Sequence, residues 1–132
     1  MLYFLNKKCP LKGKTMDKKH ILVLDDEPEL INFLSDCLDS YEVKQCTKTD
    51  EAIDELKNSP EKYFGCIIDN DIDEVGGGVR FAKTIKSLKI VTTIVMFTGK
   101  PLQKEEEAVI RNTVDRLEKK PVSVKTIRTI FP

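Results

Sequence analysis

The stretch 66–78 reads CIIDNDIDEVGGG: an apolar run stops at Asp69, two more acids follow at Asp71 and Asp73, and three glycines close it. A second acidic feature, Asp25-Asp26, ends the run HILVL. A hydroxyl at Thr98 and an ammonium at Lys120, next to Pro121, end two later apolar segments. Singly, each has an ordinary reading: helix cap for Asp25 or Asp26, turn residue for Asp69 and Thr98, solvated surface for Lys120. Together, three carboxylates, one hydroxyl and one ammonium form a coherent chemical set. Clustered carboxylates resist ionisation because their charges repel. A hard divalent cation relieves that repulsion, and magnesium favours a few carboxylates with waters and phosphate oxygens. A carboxylate can act as nucleophile toward a phosphoryl group, whose charge a metal, a lysine and a threonine hydroxyl would share.

The set needs a scaffold that brings these positions together. Residues 20–24, 42–46, 64–68, 90–97 and 114–118 read as strands, with 90–97 (IVTTIVMF) the most apolar and β-branched. Helical spacing follows each strand. It starts at Pro28 with Leu30, Ile31, Leu34 and Leu38, then covers about 49–58, 78–88, 103–112 and 123–131. Five β-α units joined by short loops predict an α/β fold: a doubly wound, five-stranded parallel sheet of order 2-1-3-4-5, flavodoxin-like, with helices on both faces. Such sheets place their sites at the carboxyl ends of the strands, where Asp25-Asp26, Asp69, Thr98 and Lys120 all fall.

Composition narrows the function classes. The 132 residues, 40% hydrophobic and 33% charged, suit one globular domain. No run reaches the ~20 apolar residues of a membrane span, and MLYFL lacks the length and cleavage site of a secretory signal. Cys9, Cys37, Cys46 and Cys66 form no CxxC pair; free thiols in a reducing cytoplasm are expected. Residues 1–19 hold six lysines and Asp17, a net +5, which leaves −5 on the remainder and argues against a nucleic-acid-binding body. The head 1–19 is read as a solvated basic extension and 20–132 as the domain. Met16 directly precedes DKKHILVLDD, and 1–15 are read as an upstream extension.

Other chemistries fit the acids less well. Asp69-Asn70-Asp71-Ile72 matches the DxDx of haloacid-dehalogenase phosphatases, with Asp71 as general acid, but their acidic pair lies downstream of the nucleophile whereas here it comes first. A calcium loop counted from Asp69 would need glycine and glutamate where Glu74 and Arg80 stand. The glycine run fits no P-loop spacing.

The residues that do fit resemble the receiver domain of two-component response regulators, of the single-domain kind that chemotaxis regulators typify. Asp25-Asp26 closes ILVLDD, Asp69 follows 43 residues after Asp26, Thr98 another 29 on, and Lys120 of a Lys-Pro pair another 22 on. The resemblance covers 20–131. It implies that Asp69 accepts a phosphoryl group from a histidine kinase or histidine phosphotransfer protein, with Mg2+ required. It implies metal ligation by Asp26 and Asp69, by Asp25 through water, and by the Asp71 backbone carbonyl. Thr98 and Lys120 would contact the phosphoryl group. Output would pass through the face of the fourth helix, fifth strand and fifth helix to a downstream protein, with weak homodimerisation allowed and no DNA-binding or enzymatic output domain following Pro132. The protein would be a signalling phosphoacceptor that catalyses only its own phosphorylation and hydrolysis.

Three positions depart from the family's pattern. Asp73 stands where a proline is usual, Gly99 where alanine is usual, and Leu117 where an aromatic often turns inward to report phosphorylation; Gly77 matches the usual glycine. The departures keep an alternative in view, a receiver-like interaction module that works without phosphorylation. Lys100, two past Thr98, is expected to face Asp71 and with it to control water access.

Overall fold

The computed structural model describes residues 18–132, so Cys9 and most of the basic head lie outside the described residues. The elements run β1 (Lys19–Leu24), α1 (Pro28–Cys37), β2 (Tyr41–Cys46), α2 (Thr49–Asn58), β3 (Tyr63–Asp69), α3 (Gly77–Ser87), β4 (Thr93–Thr98), α4 (Lys104–Thr113), β5 (Arg116–Lys119) and α5 (Val124–Ile130). All strand pairs are parallel, and the sheet order is β2-β1-β3-β4-β5, the flavodoxin-like doubly wound order expected. β1 takes in Lys19, so the folded body starts within the last residues assigned to the head.

The strands bury both faces because their side chains alternate and helices cover each side. Leu22, Leu24, Cys66, Ile68, Ile94 and Met96 pack beneath α2, α3 and α4 with Leu56, Phe81, Ile85 and Ile110. Ile21, Val23, Ile67, Val95 and Phe97 pack on the other face against Leu34 and Leu38 at α1 and Ile127 of α5. Each fully buried aliphatic or phenyl side chain stabilises by roughly 1.5–3 kcal/mol, so the two layers hold the strand ends in fixed register. Cys37, Cys46 and Cys66 are free and buried within these layers.

β4 and β5 both begin later than their apolar runs suggest. Ile90, Val91 and Thr92 lie outside β4: the Ile90 amide still bonds to Ile85 O of α3, Lys89 holds a left-handed φ of 59°, and Val91 is 92% exposed. Pairing starts only where Thr93 meets Gly65. Val114 ends α4 through its amide bond to Ile110 O, and Asp115 bridges to β4 through both its amide and its carboxylate before β5 begins.

The glycine run is not the flexible loop its composition suggests. Gly76 holds φ 78°, while Gly77 and Gly78 form the first turn of α3, buried so closely that a Cβ would strike the Ile72 and Asp69 carbonyl oxygens. The closeness of that packing sets where the turn after Asp69 can lie.

Candidate functional site

β1, β3 and β4 end side by side, and the first loop residues beyond them carry most of the singled-out side chains. Asp25 follows β1 and is 1% exposed. Its amide donates to Cys46 O at 3.1 Å and its carbonyl accepts from Gln45 Nε2 at 3.1 Å, so β2 fixes its backbone. Its Oδ1 accepts the amide of Glu27, the residue before α1, at 2.9 Å, so it braces the approach to the helix without capping its first turn. Its Oδ2 does something else: it pairs with Lys120 Nζ at 3.1 Å.

Lys120 reaches that position because its amide donates to Thr98 O at 2.8 Å, which ties the end of β5 to the end of β4; its peptide to Pro121 is cis. Its ammonium stands 2.6 Å from Glu27 Oε1 and 3.8 Å from Asp69 Oδ1. Burial alone would lower its pKa, but the hydrogen bond to Glu27 and the charges of Asp25 and Asp69 carry it above its ordinary value. Glu27 was not foreseen in this role. It occupies the N-cap position of α1 without capping it, and turns its carboxylate to Lys120 instead.

Asp69, the last residue of β3, is partly buried, and its carboxyl pKa lies above the ordinary 3.8. Desolvation is the main cause; the charge of Asp25 adds to it, and Lys120 only partly offsets both. The distances explain the shortfall, since Lys120 spends its closest contacts on Glu27 and Asp25. Asp69 is therefore only partly compensated by Lys120 at this edge.

Thr98 ends β4 and is buried, its hydroxyl 3.4 Å from Lys100 O. Asp71 and Lys100 meet as expected, with Nζ to Oδ2 at 2.7 Å. Burial pushes the Asp71 pKa up, but the Lys100 hydrogen bond and the Gly76 amide outweigh it and hold the carboxyl below its usual range. Asp73 has φ 66°, and its Oδ2 accepts from the Thr49 amide at 2.9 Å and the Thr49 hydroxyl at 2.7 Å. Leu117 is buried opposite Met96 in the layer beneath α2, α3 and α4.

The acidic edge brings Asp25, Asp69, Lys120 and Thr98 together, with Asp26 exposed at its rim. Among the described residues no three carboxylate, imidazole or thiol groups are gathered as ready metal ligands. Asp25 is instead drawn to Lys120 and the Glu27 amide. The donor set still fits a hard cation: it is all oxygen, and a cation would favour the ionised form of Asp69 that burial, and after it the charge of Asp25, disfavours. A groove of about 1040 Å³ lies at the opposite edge of the sheet and includes Phe64, Leu88 and Val91 but none of Asp25, Asp26, Asp69 and Asp71.

A family model described as the response regulator receiver domain matches residues 21–131. No curated protein matches the chain at a significant level. Among solved structures, a CheY-like response regulator receiver domain protein from Methanospirillum hungatei superposes with a TM-score of 0.74 at 20% identity, covering 86% of this chain and 90% of that one. A receiver domain protein from Clostridium thermocellum gives 0.71 at 19% identity, covering 84% and 92%. One from Methylobacillus flagellatus gives 0.69 at 17% identity, covering 86% and 96%. At these identities the superpositions speak for the fold.

Proposed function

The chain belongs to the response regulator receiver domain family, and on that premise we propose that Asp69 is its phosphoacceptor, loaded from the phosphohistidine of a histidine kinase or a histidine phosphotransfer protein. Receiver domains are signalling domains that interact with such kinases and with downstream effectors. The observation that carries the residue assignment is the Lys120 ammonium held between Asp25 and Asp69, at 3.1 and 3.8 Å, at the carboxyl edge of the sheet.

In this reading an Asp69 carboxylate oxygen forms a bond to phosphorus as the phosphorus–nitrogen bond to the donor histidine breaks, and the electron pair leaves with the imidazole. The raised basicity of Asp69 suits a nucleophile. Lys120 moves its charge from Glu27 toward the new phosphoryl oxygens, and the Thr98 hydroxyl, free of any short bond to protein, donates to them. Asp25, Asp26, Asp69 and the Asp71 carbonyl would hold Mg2+, which supplies neutralisation of the phosphoryl charge. Hydrolysis uses the same edge: water entering past the Asp71–Lys100 pair bonds to phosphorus as the bond from phosphorus to the Asp69 oxygen breaks, which releases inorganic phosphate and restores the carboxylate.

Phosphorylation adds about −1.5 to −2 charge and biases a two-state equilibrium through Thr98 and Lys120. The output face of α4, β5 and α5 exposes Val109 and Val124, apolar points suited to a protein partner. Because Leu117 is already packed inside, the change reaches that face through backbone and charge rather than through a swinging aromatic. Phosphotransfer profiling against the host's histidine kinases tests the reading. It expects one or a few kinases to load the protein in an Asp69-dependent way; loading of Asp69→Asn at the wild-type rate would place the chemistry elsewhere.

A further inference from the structure

We infer that Asp73 is a positioning residue for the acidic loop: its carboxylate clasps the start of α2 and so fixes the turn that presents Asp71 to the site. The inference rests on the proposed reading, in which the Asp71 carbonyl is a magnesium ligand.

The turn from Asn70 to Gly77 is irregular and contains two left-handed residues, Asp73 and Gly76. Aspartate is one of the few residues besides glycine that adopts this conformation readily. The turn bonds to itself at several points: the Ile72 amide to Asp69 O, the Glu74 amide to Ile72 O, the Gly77 amide to Glu74 O, the Gly78 amide to Asn70 O and the Gly76 amide to Asp71 Oδ1. The Asn70 amide ties it to Phe97 O and Arg80 of α3 pairs with Glu74; two further side-chain tethers reach across the sheet edge. On the β4 side, Lys100 pairs with Asp71. On the β2 side, Asp73 Oδ2 takes both the amide and the hydroxyl of Thr49.

Thr49 is the first residue of α2, and Lys48 at the N-cap offers no side-chain cap. The missing cap is supplied from across the site, where a carboxylate meets free amides and the positive end of a helix dipole. The Thr49 hydroxyl and amide both hold the Asp73 carboxyl below its usual range. The end of β2, three residues before Thr49, grips Asp25 through Gln45 and Cys46. Asp25, the end of β2, Thr49, Asp73 and the turn back to Asp69 therefore form one connected path around the acidic edge, which the Lys120 ammonium between Asp69 and Asp25 closes into a ring. The ring also gives a physical account of why no proline stands at 73: proline fixes φ near −65°, and the observed φ is 66°.

The test is the affinity of the unphosphorylated, folded protein for Mg2+, measured by calorimetric titration for wild type, Asp73→Gly, Asp73→Asn and Thr49→Val. Glycine keeps the left-handed backbone and removes the carboxylate; asparagine keeps both the conformation and an acceptor oxygen. Asp73→Gly is expected to weaken Mg2+ binding roughly tenfold, the scale of outer-layer changes at metal sites. Asp73→Asn is expected to recover most of that loss, and Thr49→Val to fall between. Labelling at saturating Mg2+ should remain near wild type. Wild-type affinity in Asp73→Gly overturns the inference and leaves the proposed function standing. If Asp73→Gly does not fold, wild-type affinity in Thr49→Val overturns it in the same way. Absence of Mg2+ binding by the wild type removes the proposed magnesium site itself, and the inference with it.

Discussion

The Lys120 ammonium lies 2.6 Å from the Glu27 carboxylate, closer than to Asp25 at 3.1 Å or Asp69 at 3.8 Å. Glu27 thus competes with Asp69 for the same positive charge. Removing it should free Lys120 toward Asp69. In Glu27→Gln the Asp69 carboxyl pKa is predicted to fall, followed by NMR titration of the side-chain carboxyls. The rate of labelling by a small phosphodonor should rise by at most about fivefold, since the competing pair is solvent-exposed on the Glu27 side.

Lys120 also compensates Asp25, which is 1% exposed. Stripping one partner from a fully buried pair costs about 3–5 kcal/mol. Lys120 keeps 22% side-chain exposure, so Lys120→Ala is predicted to cost about 2 kcal/mol in urea unfolding, with an unchanged denaturant slope. Lys120→Arg should recover most of the stability, because its charge persists.

Asp69 carries the opposite sign of effect. Its carboxyl pKa is raised by desolvation and by Asp25, so the folded state disfavours its ionised form. In chelator, Asp69→Asn is predicted to be more stable than wild type at neutral pH. The advantage should be full above the folded pKa of Asp69. It should shrink as pH falls through that value and vanish below the ordinary 3.8, where the carboxyl is protonated in both states. Thermal melts of the two proteins across that range check it.

The Asp71–Lys100 pair, at 2.7 Å, flanks the path by which water would reach a phosphoryl group on Asp69. Asp71→Asn and Lys100→Ala are each predicted to shorten the acyl-phosphate lifetime by roughly two- to fivefold, and the double variant by no more than the larger single effect. Dephosphorylation followed after donor removal decides it, and unchanged lifetimes in both single variants would end the gating role.

The order of strands, the edge on which Asp25, Asp69, Thr98 and Lys120 collect and the meeting of Asp71 with Lys100 were all legible in the sequence. The last follows from parallel register: Asp69 pairs with Phe97, so residues two beyond Asp69 and just beyond Thr98 emerge side by side. The start of β4 was not legible, because Ile90 and Val91 carry strand-like side chains while the chain is still leaving α3. The contacts of Glu27 and Asp73 were not legible for another reason. Their partners lie 93 and 24 residues away, and neither contact follows any period or motif. Glu27 sits where a helix cap would, and Asp73 gives its cap to a different helix. Through-space electrostatics of this kind becomes visible only once the loops are placed.

The most direct measurement is intact mass after incubation with acetyl phosphate and Mg2+, for wild type and Asp69→Asn. The account predicts one added phosphoryl group on the wild type, lost when Mg2+ is chelated before donor addition, and none on Asp69→Asn. An unmodified wild type under donor and kinase alike, or equal modification of Asp69→Asn, would contradict it.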